Sequence, residues 1–177
     1  MSGHNKWSKI KHKKGAEDAK RSKLFSMLVK TITVESKKVA GDKNSPSLKA
    51  VIDRAKAANM PADNIERAIQ KGASTDSGNL EEVMYEAYGP GGTAFITEGI
   101  TDNKNRTTAE IKHLLSKNGG NLGAQGSTLW AFNKTEDGWQ AVTTIPLEDK
   151  DKENVKKLFE ALEEHEDIKN VYTNGLI

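Results

Sequence analysis

The chain has 177 residues, 35% of them hydrophobic, which is enough to bury one or two real cores, and it contains no apolar run long enough to cross a membrane as a helix. It has no cysteine, which excludes disulfides, zinc-finger thiolates and a thiol nucleophile and suits a reducing cytoplasm. The net charge of +2 hides an asymmetry: residues 1–72 hold 17 Lys/Arg against 7 Asp/Glu, a balance of +10, whereas residues 73–177 hold 10 against 18, a balance of −8. That contrast suggests a basic binding half joined to an acidic half.

The chain opens "MSGHNKWSKIKHKKGAEDAKRSK", with eight Lys or Arg, two His, one Trp and two acids in 23 residues. It lacks the apolar region of a secretory signal, and Glu17 and Asp18 argue against a mitochondrial presequence. Residues 1–15 also lack the apolar face that a membrane-surface helix needs. What remains is an arm that buries too little to fold alone and would order on phosphate. Lys6, Lys9, Lys11, Lys13, Lys14, Lys20, Arg21 and Lys23 supply a dense positive field for nucleic acid. Trp7 and His12 offer planar rings that can stack on unpaired bases, which favours RNA.

From Ala16 the pattern becomes helical, with Leu24, Phe25, Leu28, Ile32 and Val39 as the apolar stripe. "GDKNSPS" ends that helix, and Ser45-Pro46 reads as the N-cap and first turn of a second, which turns Leu48, Val51, Ile52 and Ala55 inward. Pro61 opens a third, with Ile65, Ala68 and Ile69 inward and Gly72 as its C-terminal stop. The polar, glycine-rich link "GASTDSGN" carries the change of charge sign, so the domains are expected at 1–76 and 77–177.

In the second half, "EVMYEAYGPGGTAFITEGIT" reads as two strands around a glycine turn. "RTTAEIKHLLSKNGG" reads as a helix with Thr107 and Glu110 at capping-box spacing. Strands are expected at "TLWAF" and "WQAVTTI", then a helix with Val155, Leu158, Phe159 and Leu162 inward, then a strand around Ile168–Tyr172. The fold class is therefore α + (α+β): an N-terminal three-helix domain with a basic arm, followed by an α+β sandwich whose sheet is mostly antiparallel.

No catalytic residue, cofactor site or metal site is expected. His4, His12, His113 and His165 have no partner at metal-ligand spacing, and no serine sits in a nucleophile elbow. Glu86, Glu98 and Asp102 could meet as a carboxylate cluster across the hairpin, although solvated strand carboxylates explain them better. "YGPGGT" reads as a tight turn in preference to an anion nest. In "KNGGNLGAQGS" one glycine suffices as a C-cap, and the others mark either an ordinary loop or one that approaches something closely. "TDNKNRT" places Lys104, Asn105 and Arg106 at a helix N-terminus, where phosphate binding is favoured over a merely capped turn.

"MSGHNKWSKIKHKK", "DAKRSKLFS", "YGPGGTA", "TDNKNRT", "KNGGNLG" and "VYTNG", in this order from Met1 to Gly175, together resemble the YebC/PmpR family, whose members are described both as probable transcriptional regulators and as translational activators. Two departures stand out. Asn5 occupies the place where serine is usual, and the chain passes from "WAFNK" through "TEDGW" directly to "QAVTTIPLED", where family members carry an inserted third lobe. The resemblance implies a helical first domain, an α+β second domain without the third lobe, and no enzymatic reaction; taken with the composition, the expectation is a cytoplasmic, monomeric nucleic-acid-binding protein without a membrane role. The aromatic-bearing arm and the lack of a compelling recognition helix favour an RNA- or ribosome-associated translation factor that grips ribosomal RNA or tRNA, with ribosomal proteins as further partners. A DNA-binding transcriptional regulator is the alternative, and a protein-binding adaptor the third reading.

Overall fold

The structure is a computed structural model that describes the backbone of residues 3–177 and the side chains from Gly15 onward. The chain divides into two compact units, Met1–Ser77 and Gly78–Ile177.

The first unit is three helices, α1 (Gly3–Lys38), α2 (Pro46–Ala57) and α3 (Ala62–Ala73). Their shared core is built from Leu28 and Ile32 of α1, Leu48, Val51, Ile52 and Ala55 of α2, and Ile65, Ala68 and Ile69 of α3, closed by Met60. The helical stripes read from the sequence are therefore the ones that pack, except that Leu24 is 50% exposed while its neighbour Phe25 packs against the core. α1 also starts well ahead of Ala16.

Gly72 does not end α3 but lies inside it. A Cβ there would come within 2.3 Å of the Thr33 carbonyl oxygen, so α3 passes the α1 backbone too closely at this position for any side chain. Around it, Ser36 Oγ donates to the Ile69 carbonyl at 2.6 Å, and Thr33 Oγ1 lies 3.4 Å from the Ala68 carbonyl. These small residues let the two backbones draw together while keeping the buried hydroxyls bonded.

The second unit is a four-stranded antiparallel sheet in the order β3-β1-β2-β6, with two helices on one face. β1 (Glu81–Tyr88) and β2 (Ala94–Thr101) form a hairpin, α4 (Lys104–Lys117) leads to the short β3 (Asn121–Leu122), and α5 (Asp149–Glu164) leads to β6 (Ile168–Thr173). The period-two pattern of β1 turns Val83, Tyr85 and Ala87 to the helices, where they meet Phe95, Ile111, Leu115, Val155, Leu158 and Leu162. On the opposite face Ala94 and Ile96 are covered by Ala131 and Phe132. "TLWAF" is not a strand: Leu129–Ala131 is a 3₁₀ turn that feeds β4 (Phe132–Thr135), which pairs only with β5 (Gly138–Ala141). The turn forms because Thr128 is held to Glu86, which fixes the chain before the strand can begin.

Candidate nucleic-acid interface

In the described part of α1, every residue from Gly15 to Ser22 is exposed, and partial burial begins at Lys23 and Phe25. Lys20 and Arg21 stand on this exposed stretch, and the Arg21 guanidinium lies 5.2 Å from the centroid of the Phe25 ring. Lys23 is half-buried. Side chains of Lys6, Trp7, Lys9, Lys11, His12, Lys13 and Lys14 lie outside the described residues. A helical stretch with no packed face is marginal on its own.

The "TDNKNRT" turn is the start of α4, but Thr107 and Glu110 do not cap it. Asn103 is the N-cap, and its side chain accepts from the Arg106 backbone N–H at 3.1 Å. Thr107 is fully buried, and its Oγ1 lies 2.7 Å from Asp167 Oδ2 and 2.8 Å from Thr101 Oγ1. Sequence spacing cannot distinguish an outward capping threonine from one drawn into a tertiary network. Lys104 and Asn105 are exposed at the helix start, as a phosphate contact requires.

Arg106 is occupied within the protein. Its Nη2 donates to Asp167 Oδ2 at 2.9 Å and to Asp102 Oδ1 at 3.0 Å, and its Nε is 3.9 Å from Glu110 Oε2. Asp167, at 1% exposure, holds the guanidinium charged more firmly than usual, with Asp102 adding to the effect. Of the three residues read at this turn, two face solvent and one ties the turn to the segment before β6.

His165 gains partners through the fold that its sequence neighbours did not show. Its Nδ1 accepts from the Asp167 backbone N–H at 3.1 Å, so the proton sits on Nε2, which is 2.9 Å from Glu110 Oε2. Glu110, His165 and Asp167 each offer a ligand atom, all within 4.8 Å of one another. The guanidinium of Arg106 places a cation beside these carboxylates, through Nη2 to Asp167, while its buried Nε, 3.9 Å from Glu110 Oε2, has no hydrogen-bond partner among the described residues.

The three carboxylates weighed as a cluster are used separately. Glu98 accepts from Lys134 Nζ and Trp139 Nε1, each at 2.9 Å, and from Asn170 Nδ2 at 3.2 Å; burial raises its pKa, but these donors leave it below the ordinary carboxylate value. Asp102 pairs with Arg106. Glu86 is only 3% exposed and is the residue that explains the glycine-rich loop. Its carboxylate accepts from the backbone N–H groups of Gly126 and Thr128 and from Thr128 Oγ1, while its carbonyl accepts from Gly123 N–H. Burial pushes the Glu86 pKa up, yet the ring of donors outweighs it and holds the carboxyl below its usual range. The loop approaches the protein's own carboxylate. "YGPGGT" is a turn, with Gly91 and Gly92 at φ 68° and 75°.

The family model described as the TACO1/YebC protein N-terminal domain matches residues 5–75. The model of the TACO1/YebC second and third domain matches in two pieces, residues 80–137 and 133–175, which meet in the β4–β5 hairpin. A probable transcriptional regulatory protein of Desulforapulum autotrophicum is 49% identical over 160 residues, covering 89% of this chain and 63% of that protein. Another, of Desulfatibacillum aliphaticivorans, is 57% identical over 136 residues, covering 76% of this chain and 55% of its own. This chain thus spans little more than half the length of these relatives. One from Geobacter sulfurreducens aligns nearly end to end, 39% identical over 235 residues with 98% of this chain and 95% of its own covered. That alignment is longer than the 177-residue chain, so this relative has residues with no counterpart here. Among solved structures, a conserved hypothetical protein from Aquifex aeolicus superposes with a TM-score of 0.83 at 31% identity, covering 90% of this chain and 91% of that one. With family models accounting for nearly the whole sequence, and with the second of them broken at the hairpin, the chain belongs to the TACO1/YebC family as a short form.

Proposed function

We propose that this protein is a non-enzymatic, nucleic-acid-binding regulator of gene expression that works in the cytoplasm as an RNA- or ribosome-associated translation factor. The observation that carries the reading is the run of eight Lys or Arg against two acids in residues 1–23, which leads into Gly15–Ser22 of α1, a stretch whose residues are all exposed, in a half of the chain with a balance of +10. Phosphate neutralisation supplies affinity there, and the rings of Trp7 and His12 add stacking on unpaired bases. Lys104 and Asn105, exposed at the start of α4, are a second contact in the other unit. In-cell crosslinking followed by identification of the recovered nucleic acid tests the reading: ribosomal RNA or tRNA is expected, reduced when Lys9, Lys11, Lys13 and Lys14 are neutralised together.

A second reading, a DNA-binding transcriptional regulator, is favoured by the names of the relatives. It wins if one duplex site is preferred by about 10³-fold or more over random DNA at physiological salt while ribosomal particles are ignored.

A further inference from the structure

The three helices of the first unit have a definite end-to-end order. Near the C-terminal end of α1, Ser36 meets Ile69, Gly72 meets Thr33 and Ser36, and Gly41 meets Ala73, so the C-terminal end of α3 lies beside the end of α1. The N-terminal end of α3 is therefore at the opposite end of the bundle, where α1 first becomes buried. α2 joins α3 through the short segment 58–61, so the C-terminal turn of α2 shares that end. Phe25 and Ala58 accordingly pack against the same core.

The last turn of α2 carries Arg54 and Lys56, both exposed and neither in an ion pair among the described residues. They stand at the root of the exposed stretch of α1 that carries Lys20 and Arg21. Cations in a last turn also suit the helix dipole, but that interaction does not consume their charge. Other cations of the bundle are compensated differently: Lys43 is bonded to Glu66 at 2.7 Å and Lys38 to Glu35 at 2.8 Å.

We infer that Arg54 and Lys56 form a collar at the root of α1 that contacts the phosphate backbone of the same nucleic acid the arm holds. The inference rests on the proposed nucleic-acid function and extends the binding surface from the arm onto the folded bundle. Two residues apart on a helix, Arg54 and Lys56 project to different flanks of α2, so the collar offers one cation on each flank to a phosphate chain that follows α1. Exposed acids share this end of the bundle, Asp53 beside Arg54, Asp63 in the first turn of α3, and Glu17 and Asp18 on α1, so the collar acts through the placement of its two cations and not through net charge.

The test uses the full chain and a fluorescein-labelled RNA hairpin, with affinity measured by anisotropy across a salt series. Arg54→Gln with Lys56→Gln is expected to weaken binding and to flatten the log–log salt slope by about 0.7–0.9 for each phosphate that is no longer neutralised. Lys71→Gln is the control, because Lys71 is equally exposed but lies in the last turn of α3, at the far end of the bundle. Its slope is expected to match the parent. The inference is overturned if the Arg54/Lys56 variant binds with the parent slope, or if Lys71→Gln lowers the slope as much per charge. Lys20→Gln with Arg21→Gln separates the two levels. If this variant weakens binding while the Arg54/Lys56 variant does not, the collar alone fails; if neither has any effect the collar fails as well, and the proposed function fails with it when neutralising Lys9, Lys11, Lys13 and Lys14 also leaves RNA binding unchanged.

Discussion

The two units treat charge in opposite ways. In the α+β unit the conspicuous charged groups are turned inward and put to use: Glu86 gathers loop N–H groups, Glu98 gathers Lys134, Trp139 and Asn170, and Asp167 holds Arg106 and Thr107. In the helical unit the polar groups buried between α1 and α3 are hydroxyls, while cations such as Lys20, Arg54, Lys56 and Lys71 remain at the surface. The reason lies in the backbone. A helix satisfies its own N–H groups, so a bundle needs no carboxylate inside and its charges stay available to a partner. Loops joining strands cannot do so, and side-chain acceptors must be brought in to hold them.

The largest effect is expected where that contrast is sharpest, at Glu86. Glu86→Ala removes the acceptor of Gly126 and Thr128 N–H and of the Thr128 hydroxyl in a dry setting, and is expected to cost about 3 kcal/mol by denaturant unfolding. The pH dependence follows from the same geometry. The Glu86 and Glu98 carboxyls ionise more readily in the folded chain than at the ordinary value of 4.5. Their contribution is therefore fully present above that value and is lost as pH falls through the lower, folded value. Acid should destabilise the parent more steeply than Glu86→Gln, followed by tryptophan fluorescence, since Trp130 and Trp139 both lie in this unit. An equal acid response in the two proteins would show that Glu86 does not hold the loop as a carboxylate.

In the helical unit the corresponding weak point is a missing side chain. Gly72→Ala puts a Cβ within 2.3 Å of a backbone carbonyl oxygen, which cannot rotate away, so α1 and α3 must separate. Overpacking of this kind is expected to cost about 2–3 kcal/mol. A variant as stable as the parent would mean the bundle is loosely joined along this line.

How much of this was legible in the sequence depends on the range of the interaction. The apolar stripes of α2 and α3 and the alternation in β1 are local periodicities, and the structure packs them as read. Gly72 looked like a stop because a glycine near a helix end usually is one; only the neighbouring α1 backbone explains it. Thr107 and Glu110 had capping spacing, but their partners are Asp167 and His165, some sixty residues away or nearly so in sequence. Glu86 looked solvated because its ligands lie in a loop 40 residues on. The candidate arm is a reading of composition alone, and its side chains before Gly15 lie outside the described residues.

A smaller effect is expected at Thr107, which sits in the polar network that ties α4 to the segment before β6. Thr107→Val keeps the shape and removes the hydroxyl that lies 2.7 Å from Asp167 Oδ2, leaving Arg106 as the side-chain donor shown for that oxygen. The expected loss is about 1–2 kcal/mol. Because Asn103 still caps α4, the helix start should remain in place, and the proposed nucleic-acid contact of Lys104 and Asn105 should change less than stability does. A variant that keeps its stability and loses binding would reverse this ordering and make Thr107 a positioning residue for the turn.

The smallest expected effect has the opposite sign and comes from Gly15. A Cβ there meets nothing within 4 Å, whereas at Gly72 it meets backbone, so the same substitution separates the solvated part of α1 from the packed part. Gly15→Ala should favour helix in the exposed stretch by about 0.5–1 kcal/mol, visible as added helical circular dichroism near 0 °C. The unfolding midpoint of the bundle should barely move, because this segment contributes no packed face. The consequence for binding decides what form the arm takes on its target. If the arm binds as a continuation of α1, removing the glycine lowers the ordering cost of binding, and affinity for RNA should rise by about two- to fivefold. If the arm instead binds extended, with Trp7 stacked on a base and the chain following the phosphates, added helicity opposes the bound form and affinity should fall. The direction of that change distinguishes a helical grip from an extended one.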